Sequence, residues 1–290
     1  MKIDAHHHLW DLQAVHYPWL MAEGVERFFG DPTPIQRNYL IDEFRQDAHR
    51  HGIVGSVHIQ VGANDAMAEA AWVQQVADAT LDWPLVQVAF ADLTAPDLGD
   101  TLDKLQRLDS LRGVRQIVGR APGEDAQTGT NALLADPRFL AGLAELANRG
   151  LSFDLQLIPE LMEDTAQVLA EVPDLKVALC HAGSPHDRSP EVVAKWAGQL
   201  KTLSNLPNVS CKLSGLGMFD HNWTESSLRP IVEVCMEQFG ANRLMFGSNF
   251  PVDSLYSDYA SLFATLENLV PTDWHDAVFG RNAAAFYRFA

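Results

Sequence analysis

Three consecutive histidines, His6, His7 and His8, follow the first apolar residues of the chain. On an extended strand alternate side chains share a face, so His6 and His8 point one way and His7 the other. Two neutral imidazoles spaced in this way can grip one divalent ion, and zinc or manganese accepts nitrogen ligands of this kind. His7 then reads as a structural residue turned toward a helix layer. His181, much later, is a third imidazole that could meet the pair, and its ordinary titration range near neutrality suits proton transfer.

Other polar residues end apolar runs in the same manner. They are His58 and Gln60, Arg115 and Gln116, Asp154 and Gln156, Lys212 and Ser214, and Asn249 with Asp253 close behind. One such residue alone reads as a satisfied polar group of a core. Their recurrence at run after run points to one shared site.

The elements that must position them follow from periodicity. The segments KIDAHH (2–7), GSVHIQ (55–60), PLVQVAF (84–90), GVRQIV (113–118), LSFDLQLI (151–158), LKVALC (175–180), NVSCKLS (208–214) and RLMFGS (243–248) read as strands. Helical spacing lies between them, as in 65–80 and in 136–150, where Asp136 is a cap, Pro137 the first helical residue and Gly150 the stop. Eight alternations predict an α/β fold of the (β/α)8 TIM-barrel type, a single domain over 1–290. An open doubly wound sheet also alternates, but no GxGxxG turn follows the first strand. In a barrel the reacting groups stand at the C-terminal strand ends, where these polar residues fall.

Bulk properties narrow the partners. The 290 residues carry a formal charge of −17, which argues against nucleic acid and anionic membranes. Such a surface also repels anionic substrates unless local Arg or Lys reverses the field. Three cysteines without close spacing fit a reducing compartment, and no apolar run approaches 18 residues, so a cytoplasmic protein is expected, as monomer or homodimer.

His6-x-His8, CHAG (180–183), CKLSGL (211–216), RLMFGSNFPVD (243–253) and VFGRNAAAFYRF (278–289) together resemble the amidohydrolase-2 branch of the TIM-barrel amidohydrolases. The sugar-lactonase members, such as fuconolactonase and rhamnono-lactonase, are the most similar. The resemblance runs from first strand to last helix. It implies water attack on a carbonyl, most often of a lactone, with His6, His8 and His181 around the carbonyl or a metal. It also implies an aspartate base after strand eight. Here Asn249 stands in that place, and an amide is neither a base nor a good metal ligand.

Three alternatives follow. The base is His181 with Asn249 orienting the water, or Asp253 turned back into the pocket, or hydrolysis is lost and the barrel only binds. The divalent metal is accordingly expected to be weakly held or dispensable. For the substrate, Arg115 offers a planar fork for a carboxylate or vicinal hydroxyls. Gln60, Gln116, Asp154 and Gln156 supply donors and acceptors for a polyhydroxylated ring. Lys212 either holds substrate or pairs with Asp154. Trp10, Tyr17 and Trp19 either lie against a sugar face or pack their loop onto the barrel. The expected function is a hydrolase opening a sugar-acid lactone. The alternatives are a binding protein on the same barrel and a metal-dependent hydrolase or decarboxylase of a carboxylated ring.

Overall fold

Apolar runs too short for helices and rich in branched residues pair here as parallel strands, each beside its neighbour in sequence. A computed structural model describes residues 1–121 and 130–289. The strands are β1 (Lys2–His7), β2 (Ile53–Ile59), β3 (Leu85–Ala89), β4 (Leu111–Val114), β5 (Ser152–Leu155), β6 (Val177–Leu179), β7 (Val209–Leu213) and β8 (Leu244–Phe246). A principal helix follows each in turn. These are α1 (Ile41–His49), α2 (Ala66–Ala79), α3 (Leu98–Leu105), α4 (Pro137–Asn148), α5 (Met162–Ala170), α6 (Pro190–Ser204), α7 (Glu225–Phe239) and α8 (Tyr259–Leu269). The result is a nearly closed (β/α)8 barrel.

Closure at β1 and β8 is made by specific groups. The Asn249 N–H donates to the His6 carbonyl and the His8 N–H to the Phe250 carbonyl, both at 2.7 Å. Asp4 stitches the same seam. Its Oδ1 accepts the N–H groups of His6 and Ser248, each at 3.0 Å, and its Oδ2 accepts the Tyr259 hydroxyl of α8. Burial raises the Asp4 carboxyl to about 6. Gly247 permits the close approach, since a Cβ there would stand 2.6 Å from His6 Cβ.

Helix starts follow capping chemistry. Asp65 accepts the Ala68 N–H ahead of α2, and Asp136 accepts the Arg138 N–H ahead of α4 with Pro137 next. Gly150, at φ +66°, turns the chain out of α4, as its position in the sequence predicts. The observed β4, β6 and β8 are shorter than their apolar runs, because the residues beyond pairing turn over the barrel mouth.

Ile3, Ala5, Val57, Ile59, Val86 and Val88 fill one inner layer, capped by Phe286 and Tyr287 of the chain's last turns. Each buried side chain of this size stabilises the fold by about 1.5–3 kcal/mol. On β1 the layer takes Ile3 and Ala5, at the start of the strand, and leaves its C-terminal end to polar groups. The switch occurs at a bulge: Asp4 pairs with Ser56 but His7 with His58, one residue too many on β1. The bulge hands the inward face from Ala5 to His6, and His6 and His8 then point inward together.

Candidate active site

The C-terminal strand ends and the loop after β1 line a chamber open to solvent. Four ends supply its polar floor: His8 after β1, Gln60 after β2, His181 after β6 and Asn249 after β8. Arg115 and Gln156 add a guanidinium and an amide from beyond β4 and β5. Arg115 is 5% exposed; its two terminal nitrogens donate to the Gln60 carbonyl and to Gln156 Oε1, the latter at 3.0 Å.

His6 packs beneath this floor, with its ring 4.5 Å from His181 and 5.2 Å from His8 between centroids. All three imidazoles are neutral. Burial drives His6 well below the usual histidine range, and the neighbouring His181 and Lys212 add to it. Burial and Arg115 push His8 down to about 3, and the same two causes act on His181. His7 faces the other way, stacked on Phe44 of α1 with ring centroids 3.9 Å apart.

Two of the floor residues have left-handed backbones. After β6 the chain passes through His181 (φ 55°), Ala182 (51°), Gly183 (69°) and Ser184 (54°), and after β8 through Asn249 (57°). Such conformations cost about 1–3 kcal/mol each for non-glycine residues and collect where side chains must be aimed. The Trp196 indole N–H of α6 donates to the Ala182 carbonyl at 3.0 Å and braces the first turn. Gly215 gives the His181 ring its place, because a Cβ there would lie 2.4 Å from Nδ1. The ring Nδ1 and the backbone N–H of His181 both meet Ser214 Oγ, at 3.0 and 3.3 Å.

On the opposite side His8, Asn249 and Asp253 form a chain. His8 Nδ1 stands 2.7 Å from the Ile59 carbonyl, so Nδ1 carries the proton and Nε2 the lone pair. Asn249 Oδ1 lies 3.3 Å from that Nε2, while its Nδ2 donates to Asp253 Oδ1 at 2.9 Å. Asp253 is buried behind Asn249, does not line the chamber, and has its carboxyl raised to about 7 by burial.

The donor set was expected to hold a divalent ion through His6, His8 and His181. Both His6 ring nitrogens are buried without a partner, which leaves a ligand free to meet them. The rest does not fit. Asn249 is an amide facing His8, the cations Arg115 and Lys212 both act on His6, and no group of three His, Cys, Asp or Glu among the described residues has ligating geometry. The three imidazoles, neutral and so in the form that ligates, stand together without a carboxylate among them.

Three other expectations change. Lys212 and Asp154 are fully buried below the chamber as an ion pair with Nζ–Oδ2 at 2.5 Å, and the Tyr287 hydroxyl donates to the same carboxylate. They are removed from any ring in the chamber, so the pairing alternative holds over substrate contact. Gln116 turns to a neighbouring cleft, where its Oε1 accepts the Leu93 N–H and its Nε2 donates to Asp92. His58 faces outward, accepting the Leu9 N–H on Nδ1 with Glu69 3.6 Å from Nε2. Trp10 and Trp19 do line the chamber, their indole N–H groups tied to the Arg37 and Val61 carbonyls. Tyr17 is buried outside it. Sequence reading missed Arg27 and Arg120, which line the chamber from loops that carry no strand signal.

Comparison with known proteins gives matches along the whole chain. Residues 3–289 match a family model described as Amidohydrolase. A Sinorhizobium fredii protein, y4mH, is 40% identical over 99% of this chain and 98% of its own. An L-fucono-1,5-lactonase of Burkholderia multivorans is 30% identical over 99% of this chain and 96% of that one. A crystal structure of an amidohydrolase from Burkholderia multivorans with bound zinc is 26% identical, covers both chains fully and superposes with a TM-score of 0.85.

Proposed function

The chain belongs to the amidohydrolase family, and from that membership we propose that it opens a lactone, of a sugar acid, by water attack on the ring carbonyl. The observation carrying this reading is that the neutral His181 imidazole and the buried Arg115 guanidinium converge on one chamber at the barrel mouth. The lactonase name of a relative of full length supports the same reaction.

The chemistry follows from the groups present. When Nδ1–H of His181 donates to Ser214 Oγ, Nε2 keeps its lone pair for a water in the chamber. Nε2 takes a proton as the water oxygen bonds to the carbonyl carbon. Negative charge then grows on the carbonyl oxygen near Arg115, so the imidazolium forms beside a new anion and not alone. Collapse of the tetrahedral species breaks the ring C–O bond, and His181 returns its proton to the departing oxygen. Asn249 orients the water through its amide. Trp10 and Trp19 offer apolar faces, and Gln60 and Gln156 offer polar edges, to the remainder of the ring. No step here needs a bound ion.

Initial rates of acid release across five- and six-membered lactones test this reading. Acceleration well above spontaneous hydrolysis on at least one of them is expected. Background rates throughout would leave the barrel as a binding protein, the role that an amide at position 249 would favour.

A further inference from the structure

Two buried ionisable residues, His58 and Glu69, are unused by the proposed hydrolysis. We propose that they form a positioning pair, which fixes the aromatic and amide wall of the chamber from behind. His58 lies on β2 and Glu69 in the first turn of α2, and both are almost fully buried. Such residues are seldom buried without a definite partner. Here each catches a backbone N–H where the chain leaves the sheet.

β1 ends at His7 and β2 at Ile59, and Leu9 and Val61 each stand two residues beyond. A buried N–H left without an acceptor is costly. His58 Nδ1 accepts the Leu9 N–H at 3.1 Å, and Glu69 Oε1 accepts the Val61 N–H at 2.7 Å. With its Nδ1 lone pair engaged, His58 carries its proton on Nε2, 3.6 Å from the same Glu69 oxygen. That attraction joins the two braces into one unit.

The unit bears on the chamber through short links. Leu9 is flanked by His8 and Trp10, which line the chamber, as do Val61 and its neighbour Gln60. The Val61 carbonyl in turn accepts the Trp19 indole N–H at 2.7 Å, and Trp19 meets Trp10 edge to face with centroids 6.1 Å apart. The wall offered to a substrate ring is thus held at its two chain exits, while His181 and Ser214 stand on other strands. Loss of a brace lowers the fraction of protein whose wall is in place, and apparent affinity falls with that fraction.

The kinetic test rests on the lactonase reading. Glu69→Met and His58→Leu should each raise KM by about tenfold, the cost of one buried donor left unmade, with kcat within about twofold. Glu69→Gln and His58→Asn keep an acceptor in place and should restore KM close to the parent value. Glu69 also acts on Arg115 as an opposite charge. A fall in kcat shared by Glu69→Gln and Glu69→Met would assign it to that field and overturn the positioning role. Parent KM in Glu69→Met and His58→Leu overturns it too, however much melting temperature they lose. If no lactone is opened, the hydrolase reading fails by itself and the indoles still decide. Hydrogen exchange of the Trp19 indole N–H, read by NMR with Trp19→Phe for assignment, should quicken about tenfold or more in Glu69→Met but not in Glu69→Gln. The Trp196 indole, bonded to Ala182 across the barrel mouth, should not change. Equal protection of Trp19 in both variants, or quickening of both indoles together, refutes the brace.

Discussion

Asn249 donates from Nδ2 to Asp253 Oδ1 at 2.9 Å, and this one bond decides which face of the amide meets His8. His8 Nε2 holds a lone pair, so it can only accept, and it is met here by the amide oxygen at 3.3 Å. Protonation of Asp253, whose carboxyl burial raises to about 7, would weaken the charge-assisted bond that holds the amide in this orientation.

The first prediction concerns pH. Ionised Asp253 holds the Asn249 amide firmly in its observed orientation, so kcat/KM should rise through a pKa near 7. Asp253→Asn should lose this inflection while keeping turnover, because His181 remains. An unchanged profile in the variant would remove Asp253 from the account.

The same group makes a stability prediction. Its folded pKa of about 7 lies above the ordinary 3.8, so its contribution is fully present below the ordinary value and is lost as pH rises through the folded one. The parent protein should therefore lose more melting temperature between pH 4 and pH 7 than Asp253→Asn does. The differential melting curves of the two proteins read this directly.

Gly215 offers a positional test. A methyl there would meet the His181 ring, and the residue's φ of +59° disfavours any side chain. Gly215→Ala should cut kcat by about 10²-fold or more through misplacement of the ring, with KM changed far less and the circular dichroism intact. A proportionate change in both constants would argue that the ring is not the reacting group.

The buried pair under the chamber makes a different demand. Removing one partner of such a pair costs about 3–5 kcal/mol, because the other charge stays buried. Lys212→Met should therefore unfold at clearly lower urea, since Asp154 keeps only the Tyr287 hydroxyl. Near-parent stability would mean that the carboxylate takes up a proton at little cost.

Much of the barrel was legible because its signals are local. Periodicity of the runs located all eight strands, and Asp136, Pro137 and Gly150 marked one helix by capping chemistry alone. Strand alternation also paired His6 with His8, though through a bulge that alternation cannot foresee. Lys212 and Asp154, 58 positions apart, were open in the sequence between pairing and substrate contact, and the shared interior of β5 and β7 brings them together as a pair. What escaped lies on the loops. Arg27 and Arg120 reach the chamber from irregular loops, where no period tells which way a side chain points. Asp4 looked like part of a strand and proves to be the seam of the barrel.

The metal question has its own check. Because the three imidazoles lack a carboxylate and a ligating arrangement, extended treatment with a chelator, followed by its removal, should leave kcat within about twofold. Loss that zinc or manganese restores would show that His6, His8 and His181 rearrange around an ion.

The central claim is that His181 drives water onto a lactone carbonyl. Its most direct measurement is the initial rate of acid release on the best lactone of the panel, in the parent and in His181→Gln. The account predicts a parent rate far above background and a loss of about 10²–10⁴-fold in the variant, the range for a general base. Undiminished turnover in His181→Gln would contradict it.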